Sequence, residues 1–588
     1  MPSHAKRKSA SPPNGHNTKK AKKIGGGTSS HQHHPLAEEA EEHGIVLRKY
    51  YPPEMSNARA QAYTDQELPR PIEELQAALE ETAKERKAVK PDKAMVHWFK
   101  MDLRHADNTS LALASRRAQE AGVPLVCMYL VSPQDFEAHL LSPARVDFML
   151  RSLAVLQRDV ENLDIPLYVE TVDKRNEVPD RVLELMGEWG ANHLFCNMEY
   201  EVDELRREAY MVRDLSENGK SFEVVHDTCV VPPGSLHTGA GKQYAVYSPW
   251  FRAWLAHVHD NLGLLELREP PVANPKSARK DFAKLFGCTI PAPPKDKSFI
   301  SDEQKKRMHS LWPSGEHEAL ARLETFCKRK IGEYADARNT PSADGTSCMS
   351  VHLASGTVSS RTCIRTARDR NTTKKLNGGK NGIANWIGEV AWRDFYRHVL
   401  VAWPHVCMNK PYKPAYSNIA WSYDREHFSA WCDGRTGFPI VDAAMRQLNS
   451  TGYMHNRCRM IVASFLSKDL LIDWRMGERY FMEHLVDGDF ASNNGGWGFS
   501  ASVGVDPQPY FRIFNPLLQS ERFDRDGEYI RKWVPELANV EGNAIHEPYA
   551  RGAGVEAKKA GYPEPIVEHR GCRERALGAY KNGLESGM

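Results

Sequence analysis

The sequence lacks several features that mark particular classes of protein. It contains no run of about 18 apolar residues, the length that a membrane-spanning helix needs, and no apolar signal-peptide core near its N-terminus. Its eleven cysteines are an odd number and include no C-x-x-C pair, which argues against a disulfide scaffold and a zinc site. No G-x-G-x-x-G motif follows the first expected strand, so an NAD-type site has no support. These absences predict a soluble protein of a reducing intracellular compartment, with no metal and no membrane partner.

Acidic residues are also missing from the N-terminus, where the first acid is Glu38. Two basic clusters lie before it, at 6–8 and 19–23, and a spacer of Ser, Pro and Gly separates them. This pattern is typical of a bipartite nuclear address. The alternatives are a solvated arm that attracts phosphate and a mitochondrial presequence, although the latter would carry Arg and an apolar helical face. The sequence therefore predicts the nucleus, with the mitochondrion as a second destination.

The first half of the chain has the pattern of an α/β domain. Its 588 residues exceed the size of a single core, so two domains with appendages are expected. Apolar runs typical of buried strands alternate with helical patterns such as 144–162 and 202–215. The runs are 94–99, 123–131, 165–172, 193–196 and 222–231. The alternation predicts a doubly wound parallel sheet over residues 94–231, preceded by an N-terminal extension (1–93) that becomes helical after a basic, disordered tail.

The second half is helical in pattern and rich in aromatic residues. Proline-rich stretches predict a connector over 232–315, and the helical domain is expected over 316–588. Eight of the thirteen tryptophans lie between Trp386 and Trp533, a density that usually indicates core packing. However, Glu389, Trp392, Arg393 and Tyr396 share one face of an expected helix, and a purely structural face would be apolar. This face is predicted to line a cavity.

Three further segments combine residues suited to ligand binding. In 487–499, two acids, an amide and two aromatics alternate with glycines that allow a backbone to approach a ligand closely. In 345–356, hydroxyls and backbone donors precede an expected helix, where an anion such as a pyrophosphate is stabilised. The segment 453–460 adds amide, cationic and thioether side chains.

Taken in chain order, these segments resemble the photolyase and cryptochrome family. The matching stretches are 332–334, 346–350, 389–397, 455–459, 487–497 and 509–516, and the resemblance runs from about Val96 to Tyr580. It implies an all-α FAD-binding domain after the α/β domain, and the light-driven repair of a DNA photoproduct by a class I enzyme of the fungal type.

The resemblance implies roles for residues in an FAD site. The residues assigned to FAD are Tyr334, Thr346, Ser347, Cys348, Met349, Ser350, Arg393, Asp487, Gly488, Asp489 and Asn493. Asn493 would face flavin N5, where a neutral amide suits repair and a carboxylate suits plant-type photoreceptors. Trp497, Trp474 and Trp421 match a catalytic chain that passes electrons from the surface to the flavin.

The resemblance also implies a site for a pyrimidine dimer flipped out of DNA. The residues assigned to the dimer or to the DNA strand are Arg338, Glu389, Trp392, Tyr396, Asn456, Arg457, Met460, Phe499, Arg512 and Gln519, with Arg397 as a further candidate. Many relatives carry Trp at the position of Phe499, so a smaller aromatic plane is expected here. Enzymes that act on (6-4) photoproducts use histidine in the 456–460 segment, whereas this chain has Asn456 and Met460. A cyclobutane dimer needs only an electron, so it is the predicted lesion.

An antenna chromophore is expected in the α/β domain. Glu204 resembles the carboxylate that binds the pterin of methenyltetrahydrofolate, and Cys407 matches a second contact. Asp203 and Met408 depart from the folate type, which has Asn and Lys there. Methenyltetrahydrofolate is predicted over a deazaflavin.

Two other functions fit the same resemblance. A cryptochrome would bind FAD and signal in blue light without repair, and a nonenzymatic module would bind damaged DNA with a vestigial flavin site. Asn493, the dimer pocket and the short stretch between Tyr580 and Met588 argue for repair by a monomer. The 371–382 insertion has no predicted role beyond a flexible loop near DNA.

Overall fold

The structure is a computed structural model that describes residues 57–586. It contains a parallel sheet of five strands in the order β3-β2-β1-β4-β5. The strands are β1 (Ala94–Phe99), β2 (Leu125–Val131), β3 (Leu167–Thr171), β4 (Ala191–Asn197) and β5 (Ser221–Val225). The central strands are buried on both faces, as their continuous apolar runs require. The predicted doubly wound sheet is confirmed.

Helices cover both faces of the sheet. They are Thr109–Ala121, Pro133–Ala138, Pro143–Glu161, Val178–Glu188 and Val202–Glu217, and the N-terminal extension adds Asn57–Thr64, Pro71–Glu81 and Ala83–Ala88. Two apolar cores result, one on each side of the strands. The Pro71–Glu81 helix packs on Val202–Glu217 and buries Ile72 and Leu75. The helical end of the extension is thus part of the packed molecule, and the basic clusters at 6–23 lie outside the described residues.

The predicted connector contains a helix that packs into the helical half of the molecule. The Tyr247–Asp260 helix contacts the Asn381–Ala402 helix and buries Trp250 and Trp254 completely. The sequence did not predict this helix, because the proline-rich stretches on either side of it are typical of a connector. The remaining helices of 232–315 are Ala278–Asp281 and Asp302–Leu311.

The helical half is built around the central Asn381–Ala402 helix. The other helices are Glu316–Arg329, Tyr334–Ala337, Ser350–Ser355, Ser360–Asp369, Arg425–Asp433, Pro439–Thr451, Asn456–Ser464, Trp474–His484, Phe490–Ser500, Pro516–Phe523, Glu528–Trp533, Gly554–Lys559 and His569–Ser586. Short 3₁₀ turns, such as Pro404–Met408 and Pro414–Asn418, and a π-turn at Phe465–Asp469 join several of them. Among the described residues, no helix is both long and apolar enough to cross a bilayer.

The insertion at 371–382 is an organised loop, which corrects the interpretation of it as a flexible one. Asn371 Nδ2 donates to the carbonyls of Lys375 (3.1 Å) and Gly378 (2.6 Å), and Asn371 Oδ1 accepts from the Lys380 amide (3.1 Å). Leu376 is fully buried in the core of the helical half. One polar side chain therefore satisfies the loop backbone while one apolar side chain fixes the loop to the core.

A buried ionic network joins the sheet to the helical half. Arg361 Nη2 lies 2.6 Å from Asp227 Oδ1 and 3.0 Å from Asp107 Oδ1, and Arg104 pairs with Asp227. All four side chains are less than a tenth exposed. Burial opposes ionisation, but the two guanidinium groups hold the pKa of Asp227 below its ordinary value. The network fixes the orientation of the two halves at the site described next.

Candidate functional site

The Phe490–Ser500 helix carries the centre of the site, and Asp489 caps its N-terminus. Asp489 Oδ1 accepts from the Ser492 amide at 3.0 Å, which satisfies one of the free N–H groups of the first turn. Asp489 Oδ2 lies 2.5 Å from Arg397 Nη2 and 3.6 Å from Arg393 Nε. Burial would raise the pKa of Asp489, but the two arginines hold it below its ordinary value. The cap is therefore a fixed anion.

The Nε donor of Arg393 lies 3.6 Å from the Asp489 carboxylate, beyond hydrogen-bond distance. Its Nη atoms donate to the carbonyls of Thr228 and Leu353, both at 2.9 Å, while its Nε is buried and has no hydrogen-bond partner among the described residues. Burial and the neighbouring Arg397 lower the pKa of Arg393 to about 10. An orphaned cationic donor of this kind is suited to an anionic or polar ligand.

Asn493 also presents an unused group. Its Nδ2 donates to the Glu478 carbonyl at 2.9 Å, and no hydrogen bond within residues 57–586 reaches its Oδ1. The amide is thus anchored by its NH₂ group, and its oxygen remains available to a ligand. Gly496 lies one turn away, and a Cβ added there would meet no atom beyond its own helix within 4 Å. This face of the helix therefore has room at Gly496 for a flat ring such as flavin.

Two neighbouring glycines serve a different purpose from the predicted one. A Cβ at Gly495 would lie 2.1 Å from the Tyr396 ring, and a Cβ at Gly498 would lie 2.8 Å from Gly504. These glycines allow close packing of the Phe490–Ser500 helix against protein. The prediction that the glycines serve the approach of a ligand is wrong for Gly495 and Gly498, since the sequence does not show which helix face meets the ligand.

The hydroxyl-rich segment precedes a helix, as predicted. Ser347 Oγ accepts from the Trp386 indole (3.2 Å) and the Met349 amide (3.3 Å), and Cys348 takes a left-handed backbone angle (φ 51°). Thr346 is half-buried and Ser350, which begins the Ser350–Ser355 helix, is exposed. The segment is thus held by Ser347 and by a contact of 3.6 Å between Thr346 Oγ1 and Cys348 Sγ, while the exposed Ser350 presents its hydroxyl to a ligand.

Glu389 and Arg338 form an ion pair at the mouth of the site. Arg338 Nη1 lies 2.6 Å from Glu389 Oε1, and the Arg338 guanidinium lies over the Tyr334 ring at 5.8 Å. Next to this pair, Arg457 Nη2 donates to Asn339 at 2.8 Å. Burial raises the pKa of Glu389, and the two arginines oppose that shift. A carboxyl with this balance can accept or share a proton with a polar substrate.

Trp392 forms a broad aromatic surface with a residue that the sequence analysis missed. The Trp392 and Tyr247 rings stack with centroids 3.5 Å apart and an angle of 8°. Tyr247 donates through its hydroxyl to the Gly388 carbonyl at 2.7 Å, which fixes its ring. The only sequence signal for Tyr247 was its place in the aromatic run 247–251 at the start of a helix. The ring centroids of Tyr396 and Trp392 lie 5.4 Å apart. Phe499 is half-buried on the Phe490–Ser500 helix, which packs against the Asn381–Ala402 helix that carries Trp392.

The segment around Asn456 begins a helix and contributes to the same mouth. His455 Nδ1 accepts from the Arg457 amide at 3.1 Å, so His455 is the helix cap. Burial and the nearby arginines lower its pKa to about 4, which keeps it neutral near pH 7. Asn456 is exposed, and Met460 accepts from Arg457 Nη1 at 3.7 Å. No imidazolium is available from this segment at neutral pH.

Of the other predicted DNA contacts, one lies near this mouth. Gln519 is on the Pro516–Phe523 helix, whose Phe523 ring lies 4.3 Å from the Arg457 guanidinium. Arg512 is exposed on the loop before that helix, where its amide donates to the Pro509 carbonyl at 2.8 Å. Asp487, the remaining acid, accepts from Arg459 Nη2 at 2.8 and 3.0 Å.

The three predicted electron-transfer tryptophans occupy neighbouring positions. Trp497 packs against Gly477, which lies one turn after Trp474 on the same helix. Ser422 pairs with Ile472 through a backbone bridge, which brings the neighbouring Trp421 near the start of that helix. Trp497 and Trp474 are buried and Trp421 is half-buried. The fully buried Trp431, which was not predicted, lies 6.1 Å from Trp497.

The predicted antenna residues lie on two elements, the Val202–Glu217 helix and the Pro404–Met408 turn. Glu204 is buried, and its Oε1 lies 2.8 Å from His139 Nε2 and 3.3 Å from Arg175 Nη2. Its Oε2 has no hydrogen-bond partner among the described residues. Burial and the neighbouring Asp203 raise the pKa of Glu204 to about 8. Cys407 and Met408 belong to the Pro404–Met408 turn. Cys407 is buried in the apolar core of the helical half, which also includes Val202, two residues before Glu204.

The two departures from the folate type each have a partner here. Asp203 pairs with Arg175, and Met408 packs with Ala60, Tyr63 and Leu68 of the N-terminal extension. The Asp135, His139 and Glu204 ligand atoms lie within 4.8 Å of one another, but Arg175 bonds to both acids and supplies the positive charge.

A small cavity links the two predicted sites. It holds about 80 Å³ and is lined by Glu204 and Asn197 on the sheet side and by Arg393, Gly488 and Asp489 on the helical side. By volume it has room for a few water molecules. The antenna and flavin residues therefore face one another across a narrow polar space.

Comparison with known proteins connects this geometry to a family. Residues 386–582 match the family model described as the FAD binding domain of DNA photolyase, and residues 95–275 match the model described as DNA photolyase. A deoxyribodipyrimidine photo-lyase of Neurospora crassa is 66% identical over 563 residues, which cover 94% of this chain and 91% of that protein. A Saccharomyces cerevisiae protein named deoxyribodipyrimidine photo-lyase, mitochondrial, is 33% identical and covers 93% of this chain and 96% of its own length.

A solved structure agrees with these matches. The bacterial class III photolyase of Agrobacterium tumefaciens superposes with a TM-score of 0.72 at 33% identity, and the match covers 85% of this chain and 99% of that one. The family models cover both the sheet and the helical half, and the relatives match over nearly their whole length. The chain belongs to the DNA photolyase family.

Proposed function

We propose that this chain repairs cyclobutane pyrimidine dimers in DNA under blue light, with FAD as its cofactor. The observation that carries the proposal is the anchored Asn493 amide, whose Nδ2 is bonded to the Glu478 carbonyl while its Oδ1 accepts no hydrogen bond from the described residues. Tyr334, Thr346, Ser350, Arg393 and Asp489 would supply hydroxyl, cationic and capping groups to the cofactor. Bound, reduced FAD would supply an electron to the dimer on excitation and take it back after the ring splits, with no net redox change.

The side chains of the mouth would hold the flipped dimer. Trp392, supported from behind by Tyr247, offers a rigid plane on which a base can stack, and stacking offsets part of the cost of flipping. Glu389 would meet the polar edge of the base, positioned by Arg338. Arg338 and Arg457 would also attract the phosphate backbone, which orients the strand without reading its sequence.

A cyclobutane dimer fits this mouth better than a (6-4) photoproduct. Repair of a (6-4) lesion calls for a proton donor, and the only histidine of the 453–460 segment is a neutral helix cap with a pKa of about 4. Asn456 and Met460 donate no such proton near pH 7. The cyclobutane reaction needs an electron and a site that excludes water.

Trp497, Trp474 and Trp421 would carry electrons from the surface to the flavin site before repair. Their positions in order of decreasing burial support this role.

We also propose methenyltetrahydrofolate as the antenna. The carboxyl edge of β1 and β4 is the switch point at which doubly wound sheets usually bind a ligand. Here Lys100 fills that edge by pairing with Glu199 (3.2 Å) and with buried Glu208. Glu204, whose Oε2 has no hydrogen-bond partner among the described residues, supports a pterin as the antenna ligand.

The basic clusters at 6–8 and 19–23 support delivery to the nucleus, and the name of the yeast relative supports the mitochondrion as a second destination. Fluorescence microscopy of the tagged full chain, beside a variant with alanine at residues 19, 20, 22 and 23, tests this assignment. Loss of nuclear signal in the variant is expected.

The test of the main proposal uses the purified, photoreduced protein with UV-damaged DNA. Blue light should remove cyclobutane dimers, with no removal in the dark and no removal of a (6-4) lesion. A protein that contains flavin and binds the damaged DNA but leaves both lesions intact would instead be a blue-light receptor of the cryptochrome type.

A further inference from the structure

The end of the N-terminal extension contacts both walls of the predicted antenna cleft. One wall is the start of the Val202–Glu217 helix with Glu204, and the other is the Pro404–Met408 turn with Cys407. The Asn57–Thr64 helix packs against that turn and against Pro414–Asn418. The following Pro71–Glu81 helix packs along Val202–Glu217.

Tyr63 is the residue that bridges the two walls. Its ring is 2% exposed and packs with Ala60, Leu68 and Met408 on the helical side. Its hydroxyl accepts from Arg206 Nη2 at 3.0 Å on the sheet side. A buried aromatic ring on an eight-residue helix is notable, because a short helix near a chain end is held by such contacts and not by its own stability.

The position of Met408 agrees with this arrangement. A lysine there, as in the folate type of the family, would bring a charge into the apolar cluster that Ala60, Tyr63 and Leu68 form. The extension therefore covers a surface that the substitution has made apolar. No described residue of the extension lines the cavity that reaches Arg393 and Asp489, so the extension and the flavin residues meet different parts of the molecule.

We propose that the Asn57–Thr64 helix is a third wall of the antenna site and that Tyr63 holds it in place by joining Met408 to Arg206. The proposal rests on the proposed folate antenna and extends it to the extension, which lies outside both regions matched by the family models. The wall would exclude water from one side of the pterin and retard its dissociation. Tyr63 is a positioning residue in this arrangement.

The test is a titration of the flavin-loaded full chain with methenyltetrahydrofolate, followed by absorbance of the bound folate. Replacement of Tyr63 by Ala should weaken folate binding about tenfold, the effect of losing one well-packed side chain together with its hydrogen bond. The Tyr63→Phe variant keeps the ring and loses only one neutral hydrogen bond, so its folate affinity should fall by only about threefold. Tyr210→Ala is the matched control, because Tyr210 is 55% exposed on the Val202–Glu217 helix.

Two further readouts distinguish the outcomes. Folate should slow tryptic cleavage after Arg59 in the wild-type chain and not in Tyr63→Ala, and the flavin content of both should be equal. Folate uptake by the wild type with equal affinity in both Tyr63 variants would overturn the wall and leave the antenna assignment intact. A wild-type chain that takes up no folate would overturn the antenna assignment and the wall together.

Discussion

At the scale of single residues, the site depends on which atom of a side chain is already occupied. Asn493 has its NH₂ group bonded to the Glu478 carbonyl, so it offers only its oxygen to a ligand. An Asn493→Asp variant would repel the Glu478 carbonyl or require a proton, and it would place a second acceptor beside the ring. We expect the variant to lose most of its repair activity and to show a changed flavin spectrum after photoreduction. Unchanged repair by a flavin-loaded Asn493→Asp protein would show that the amide does not face the reacting ring.

Trp392 should contribute to damaged DNA rather than to flavin. Stacking on an aromatic side chain is worth about 1–3 kcal/mol per base, so Trp392→Ala should weaken binding of dimer-containing DNA about tenfold or more. Flavin content should stay constant, since the Trp392 ring stacks on Tyr247. In the opposite direction, Phe499→Trp should tighten binding through its larger plane. Both are measured by titration of a dimer-containing duplex, and undamaged duplex is the control.

His398 should make one contribution to stability dependent on pH. Its Nε2 donates to the Val231 carbonyl at 2.9 Å, its Nδ1 accepts from Trp250 at 3.4 Å, and burial lowers its pKa to about 4. Because the folded pKa lies below the ordinary value of about 6.5, this contribution is complete above pH 6.5 and is lost as the pH falls through 4. The destabilisation caused by His398→Gln should therefore shrink between pH 7 and pH 5 in urea unfolding. A destabilisation that stays constant from pH 7 to pH 5 would contradict this expectation.

At the scale of elements, the sequence predicted the types of helix and strand better than it predicted the neighbours. All five strands lie within two or three residues of their predicted starts, because buried parallel strands give continuous apolar runs. The run at 222–231 ends early, at Val225, since Asp227 turns inward to meet Arg104 and Arg361. Tyr247 could not be assigned to the site, since its partner Trp392 is 145 positions away and only the fold brings them together.

Adjacent glycines on the Phe490–Ser500 helix give a matched test of packing against ligand binding. Gly495→Ala would force a Cβ into the Tyr396 ring, at a cost of about 1–3 kcal/mol in the free energy of unfolding. Gly496→Ala faces open space, so it should leave stability equal or slightly higher while it lowers flavin affinity. Thermal unfolding and flavin content of the two variants check this. Equal flavin content in Gly496→Ala and wild type would place the flavin on another face of the helix.

At the scale of the whole molecule, the two halves are joined by charges that water does not reach. Asp227→Ala would leave Arg104 and Arg361 buried beside a missing anion, and breaking such a pair costs about 3–5 kcal/mol. We expect a large loss of stability in denaturant unfolding, with little loss for Asp281→Ala at an exposed site. A fall in stability of less than about 1 kcal/mol, the value of a surface pair, would show that water enters the network.

The sequence predicted the overall division into a sheet half and a helical half, and the resemblance supplied most of the site residues. It did not predict how the parts meet. The extension helices were expected to be an appendage, yet Tyr63 and Leu75 are buried against both halves. The insertion at 371–382 was expected to be flexible, yet Leu376 is in the core. Such contacts depend on long-range packing, which local periodicity does not encode.

The ion pairs at the carboxyl edge of β1 and β4 have an evolutionary consequence. Lys100 is held between Glu199 and Glu208, and loss of Lys100 would leave the fully buried Glu208 with Arg207, 3.7 Å away, as its remaining cation. A lineage could make room for a larger chromophore at this edge only by losing cation and anion together. Intermediates with one substitution would fold poorly and be removed by selection, so this edge of the sheet could open to a ligand only through a paired substitution.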